Sequence, residues 1–150
     1  MNREGHAGLT LLVLSPVFFL LSLKDFTSIA TLVFAVGFSS LPDIDLDFEL
    51  KHRTYTHTVL FAIIAGIIFA LLFNYAGMWL VGFMGAFLGT VCHLLGDLVT
   101  HMTFNPLWPF RDMEIALGWF SSSDKSVNNG MMTIGSLAFL LYLFRYAGVF

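Results

Sequence analysis

The feature that most constrains this chain is a run of 35 residues, from 58 to 92, without one formal charge. A helix crossing a bilayer core of about 30 Å needs about 20 apolar residues. The run is therefore too long for a single crossing, and it is broken near Asn74-Tyr75-Ala76-Gly77, where turn formers gather. It predicts a helical hairpin. Three further charge-poor stretches, residues 6–23, 26–41 and 131–142 or beyond, bring the expected spans to five. The second is short at about 16 residues, which predicts tilt or partial burial rather than a clean lipid-facing crossing.

Composition agrees with this division. The chain is 57% hydrophobic and 11% charged, with a mean hydropathy of +0.82, whereas soluble domains carry about 25% charged residues. A soluble bundle of 150 residues would have too little interior to hide so much apolar surface. The expected fold class is all-α, a polytopic transmembrane helical bundle forming one membrane-embedded domain over residues 1–150. The first apolar run does not read as a signal peptide, because no small-x-small cleavage site follows it and Glu4 interrupts the basic start. A net charge of −3 with seven Lys and Arg argues against wrapping of nucleic acid. Cys92, the single cysteine, excludes an internal disulfide and a CxxC zinc site, and reads as a small buried residue.

Threading five spans through a bilayer brings all five histidines to the same face, together with Asp43, Asp45, Asp47 and Asp97. That face also carries Arg3, Lys51, Arg53, Arg111 and Lys125, against Lys24 and Arg145 on the other. By the positive-inside rule the polar cluster is expected to face the cytoplasm.

The strongest local signal is HLLGDLVTH, which spaces His93, Asp97 and His101 four apart. At 100° per residue these positions drift only about 80° around a helix, so they form one polar stripe on an otherwise apolar span. Polar groups at membrane depth are costly, which favours function over filler. Residues four apart, about 6 Å along the axis, can share one ion; His93 and His101, about 12 Å apart, cannot, since metal–ligand bonds are near 2 Å. Asp97 is the natural bridge between two ions.

The second cluster is LPDIDLDFELKHRTYTH. Pro42 should end a helix and present Asp43 and Asp45 from an extended segment with both carboxylates on one side. Asp47 and Glu49 read as a solvated acidic loop. His52 and His57 would lie about 140° apart on a continued helix, so only one should meet a metal, and His57 is favoured because it joins the buried span. Arg53 offers a fork suited to a phosphate, with the hydroxyls of Thr54, Thr56 and Thr58 nearby, or it serves as a loop cation at the headgroups. His6 is less specific, and its place on the same face is what recommends it. Residues 103–129, rich in Phe, Trp, Pro and Asn, should anchor a loop at the headgroup level or form a lid over the site; Asp112 and Glu114 lie within it, selected by no spacing.

In this order HAG, LPDID, HRTYTH and HLLGDLVTH resemble the YdjM-type family of membrane-bound metal-dependent hydrolases, also described as LexA-binding inner-membrane-associated hydrolases, over roughly residues 6–110. That family is distantly similar to zinc-dependent phospholipase C and the single-strand-specific zinc nucleases. Carried over by motif, the resemblance implies one ion held by Asp43 or Asp45 with His57, His93 and Asp97, and a second held by His6 with Asp97. The soluble enzymes continue with further His and Glu ligands, whereas here only His101 follows, with Glu114 as an additional carboxylate, so one or two ions are expected rather than three.

The expected function is a phosphoesterase acting on a lipid or other membrane-associated phosphoester through metal-activated water. Asp43, Arg53 and Asp97 would be catalytic, and His6, Asp43, Asp45, His57, His93, Asp97 and His101 would be the metal-ligand candidates. Zinc is the expected ion, with manganese or another divalent cation as the substitute, and membrane lipids are the expected partners. The rival from another class is a non-catalytic metal-binding membrane protein or ion transporter, which would need its polar stripe to connect both faces. Haem between His93 and another histidine would show a Soret band. No HExxH motif supports an intramembrane protease.

Overall fold

In the computed structural model, which describes residues 1–48 and 53–149, five long helices carry the chain: α1 (Arg3–Leu20), α2 (Phe26–Phe38), α4 (Val59–Asn74), α5 (Trp79–Leu98) and α6 (Lys125–Tyr146). Between α2 and α4 lie a 3-10 turn, Leu41–Asp43, and the short α3, Ile44–Asp47. The described residues hold no named strand, only isolated bridges pairing Thr100 with Phe120 and Phe104 with Ile115. The protein is an all-helical bundle. Three stretches, Phe26–Leu46, Trp79–Leu98 and Lys125–Tyr146, are long and apolar enough to cross a membrane, and Val59–Asn74 is a shorter apolar helix.

Helix ends are set by local polar chemistry that the apolar pattern does not register. Asn2, Asp25, Thr58 and Asp124 each cap a following helix, their side-chain oxygens accepting from free backbone N–H groups at 2.7–3.1 Å. Capping by Asn2 starts α1 at Arg3 rather than at His6, and capping by Asp124 starts α6 at Lys125, six residues before the span expected from Met131. The expected hairpin break is present: α4 ends at Asn74, Gly77 takes φ +70°, and the Met78 N–H returns to the Phe73 carbonyl at 3.0 Å.

α5 lies at the centre, packed against α4 on one side and α2 on the other, while α1 pairs mainly with α6 and touches α2 and α5. The core gathers Leu11, Leu14, Phe18, Leu32, Ala35, Cys92 and Tyr142. The α1–α6 contact is close because both partners lack a side chain where the helices cross: a Cβ on Gly135 would overlap the Gly8 carbonyl oxygen, and one on Gly8 would overlap the Met132 backbone. On its other side the first turns of α1 lie against the last turns of α5, where a Cβ on Gly96 would meet His6 and Leu9.

Candidate metal centre

α5 has no ionisable side chain from Trp79 to Val91, then carries His93 and Asp97 in its last turns. α1 brings His6, the 3-10 turn brings Asp43, and the segment leading into α4 brings His57. His6, His57, His93 and Asp97 are all at most 1% exposed. Asp43 is half-buried at the rim.

The distances among four of these donors are mutually consistent. His57 Nε2 is 3.1 Å from His93 Nε2, 3.3 Å from Asp97 Oδ2 and 3.7 Å from Asp43 Oδ1. His93 Nε2 is 3.5 Å from both Asp97 Oδ2 and Asp43 Oδ1. Four ligands at 2.0–2.2 Å from one tetrahedral ion stand about 3.3–3.6 Å from one another. Five of the six edges of such a tetrahedron are thus present to within a few tenths of an ångström. The trios His57, His93, Asp97 and His6, Asp43, His93 each bring one ligand atom per residue close enough to hold an ion.

The hydrogen bonds behind these donors decide which nitrogen faces the centre. His93 Nδ1 lies 2.7 Å from the Ser39 carbonyl oxygen; a carbonyl only accepts, so Nδ1 carries the proton and neutral His93 presents its Nε2 lone pair. The Thr56 hydroxyl donates to Asp45 Oδ2 at 2.9 Å and therefore accepts from His57 Nδ1 at 3.0 Å, which directs the lone pair of neutral His57 inward as well. Two lone pairs facing one another at 3.1 Å repel unless a cation or proton lies between them. Burial works to lower the His57 pKa, but the carboxylates of Asp43 and Asp97 outweigh it and hold the imidazole above its ordinary value. Asp97 Oδ2 and both ring nitrogens of His6 are buried without a hydrogen-bond partner among the described residues. Asp97 Oδ2 only accepts, and a neutral imidazole keeps one ring nitrogen as a bare acceptor and the other as an N–H donor; buried acceptors without partners are expensive, and a bound cation satisfies them. The donor set fits a metal ion.

Asp97 Oδ1 is differently placed. It accepts from Arg53 Nη2 at 2.7 Å and from the Met1 amino nitrogen at 3.1 Å, and lies 3.5 Å from His6 Nε2. A second ion bridged through Asp97 would have to compete with a guanidinium for that oxygen. His6 stacks on His93 with ring centroids 3.7 Å apart, in space left by Gly96, whose Cβ would come within 2.7 Å of His6 Nδ1.

Several expectations are corrected. His101 stands outside the cluster because α5 ends at Leu98; the Thr100 hydroxyl turns back to the Asp97 carbonyl at 2.9 Å, and His101 is exposed. Asp43 and Asp45 are not in an extended segment. They lie on the 3-10 turn and α3, where positions two apart diverge by about 200°. Asp43 therefore faces His57 and His93, while Asp45 meets the Arg53 N–H at 3.2 Å and Thr56, and lies 3.4 Å from the rear nitrogen of His57. Arg53 is not a headgroup cation: it is 7% exposed, takes φ +61°, and spends Nη1 on the Met102 carbonyl at 2.6 Å and on Thr100 at 3.2 Å. Thr58 is a helix cap. Glu114 accepts from Thr103 at 2.9 Å and Asp112 from Asn105 at 2.7 Å, rather than either joining the cluster. The Asp47 side chain, Glu49, Lys51 and His52 lie outside the described residues. Ser39 and the relay role of Thr56 were missed; a histidine needs something behind its second nitrogen, but no spacing rule names it.

An all-helical bundle with membrane-length apolar helices and a buried His/Asp cluster of metal-ligand geometry defines a helical membrane protein with a candidate metal site. The family is narrower still: the chain matches the YdjM inner membrane protein family over residues 1–149 and belongs to it. No curated protein and no solved structure matches it.

Proposed function

We propose that this chain is a multi-pass, membrane-bound, metal-dependent hydrolase that cleaves a phosphoester of a lipid or another membrane-associated molecule. The observation that carries the proposal is the set of five donor–donor distances of 3.1–3.7 Å among His57, His93, Asp97 and Asp43. His57, His93 and Asp97 would hold the ion, with Asp43 completing four donors. Two imidazoles with two carboxylates favour zinc. A zinc ion bound there would supply an activated water at neutral pH and positive charge against developing phosphoryl charge.

The remaining work falls to the chain. The Ser39 carbonyl and the Thr56–Asp45 pair hold the two imidazoles in the tautomer that offers Nε2. Arg53 neutralises the outer oxygen of Asp97 and fixes its rotamer, leaving Oδ2 for the centre. Burial of His6, His57 and His93 keeps bulk water from the donors. A transporter is less well supported, because α5 has no ionisable side chain in its first half through which a polar path could continue. Apart from the buried Arg53, the cluster end carries Arg3, Arg111 and Lys125 against Lys24 and Arg145, which supports a cytoplasmic site.

Elemental analysis of purified wild type beside His93→Ala and Asp97→Asn, with hydrolysis assays on lipid and nucleotide phosphoesters, tests the reading. Wild type should carry stoichiometric zinc and turn over a phosphoester, and both variants should lose metal and activity together. Asp97→Asn protein that retains a full complement of metal would refute the ligand assignment.

A further inference from the structure

Beside the cluster, separated from it by the Arg53 side chain, lies a cavity of about 290 Å³ lined by Arg53, Thr54, Thr103, Asn105, Trp108, Asp112 and Glu114, with Phe104 beneath. Its wall is built by the bridge that pairs Phe104 with Ile115, through hydrogen bonds of 3.2 and 2.9 Å. Alternation along such a ribbon sends Phe104 into the interior, where it is 3% exposed, and turns Thr103 and Asn105 to the opposite face. Thr103 is tied to Glu114 and Asn105 to Asp112. Two carboxylates thus line one small cavity whose only cationic lining residue among the described residues, Arg53, is already committed to Asp97.

Two buried polar atoms on residues that line this cavity have no partner among the described residues. One is Asn105 Oδ1, an acceptor. The other is Nε of Arg53, a donor on a side chain more than nine-tenths buried. An unpartnered N–H on Arg53, whose Nη2 reaches Asp97, suits an anionic oxygen. Asp112, Glu114 and Asn105 Oδ1 supply three acceptors on the ribbon side, as many as the N–H donors of a primary ammonium group. A trimethylammonium group has no N–H to offer them, and a glycerol head has no charge to set against the carboxylates.

We propose that this cavity receives the primary-ammonium head group of an aminoalkyl phosphoester, with the phosphate towards Arg53 and the amine among Asp112, Glu114 and Asn105. The assignment of a substrate rests on the hydrolase reading above; the binding preference does not. Charge-assisted hydrogen bonds lost from such a site cost about ten-fold in affinity.

Isothermal titration of the zinc-loaded full chain in detergent with O-phosphoethanolamine, phosphocholine and glycerol phosphate tests the proposal, with zinc content and phosphoester turnover measured on the same samples. Phosphoethanolamine should bind about ten-fold more tightly than either of the others. In the doubly isosteric variant Asp112→Asn/Glu114→Gln, whose altered side chains are exposed, the preference should shrink to within about two-fold at unchanged zinc content. Equal affinity for the three probes in wild type, binding of none of them, or a preference that survives the double variant overturns the proposal. A preference found in protein that neither holds zinc nor turns over substrate leaves the head-group site standing and refutes the hydrolase reading instead.

Discussion

Thr56→Val removes one hydroxyl and keeps nearly the same shape, so its consequences can be worked from the contacts around it. In the wild type that hydroxyl donates to Asp45 Oδ2 at 2.9 Å and accepts from His57 Nδ1 at 3.0 Å, with all three side chains buried. Asp45 keeps the Arg53 N–H at 3.2 Å, so it loses one partner of at least two; His57 Nδ1 loses its 3.0 Å contact with the hydroxyl and falls back on Asp45 Oδ2 at 3.4 Å, beyond good hydrogen-bond length. Weakening a buried hydrogen bond to a charged group's partner costs about 1–3 kcal/mol. Partners behind a metal ligand are worth about 10–100-fold in affinity, and at about 1.4 kcal/mol per decade that is about 1.4–2.8 kcal/mol. The two routes agree. Zinc affinity of Thr56→Val, measured by competition with a chromogenic chelator, should fall 10–100-fold, whereas Thr31→Val, a buried hydroxyl on α2 away from the cluster, should leave it within about two-fold. Wild-type affinity in the Thr56 variant would refute both the relay and the lone-pair orientation deduced from it.

Gly135→Ala should lower stability despite gaining about 1 kcal/mol of helix propensity, because its Cβ overlaps the Gly8 carbonyl oxygen and overpacking costs about 1–3 kcal/mol; thermal unfolding in detergent reads the net loss. Asp25→Ala should cost about 1 kcal/mol at neutral pH through loss of the α2 cap. The Ser28 hydroxyl and N–H hold the Asp25 carboxyl below its ordinary value of 3.8, so its contribution is complete above that value and is lost as pH falls through the lower folded value. Denaturation curves of variant and wild type should therefore converge in strong acid and differ above about pH 4. His101→Ala should leave zinc content and affinity unchanged, since the exposed imidazole lies beyond the end of α5; loss of metal in that variant, read by elemental analysis, would place it back in the ligand set.

What could be read from the residues alone follows from rules that act along the chain. Charge-free runs predict helices because backbone polar groups in an apolar setting must be satisfied within the segment, and a four-residue step keeps His93 and Asp97 on one face whatever surrounds them. Family membership was likewise legible, in four short motifs whose order is more specific than any one of them. His101 shows the limit of the same rule: it extends only as far as the helix does, and α5 stops at Leu98.

Tertiary structure decided the rest. That Asp43 faces the histidines while Asp45 stands behind one of them depends on the chain turning into a helix after Pro42, where an extended segment was expected, and a one-state change in backbone reverses which side each carboxylate takes. His6 reaches His93 across 87 residues of sequence because Gly96 leaves room on α5 for its ring, while Gly8 and Gly135 seat α1 against α6, a consequence of side chains that are absent. The nitrogen each imidazole offers was set by Ser39 and Thr56. Such partners come from wherever packing brings a carbonyl or hydroxyl within 3 Å, and no spacing along one chain encodes that meeting.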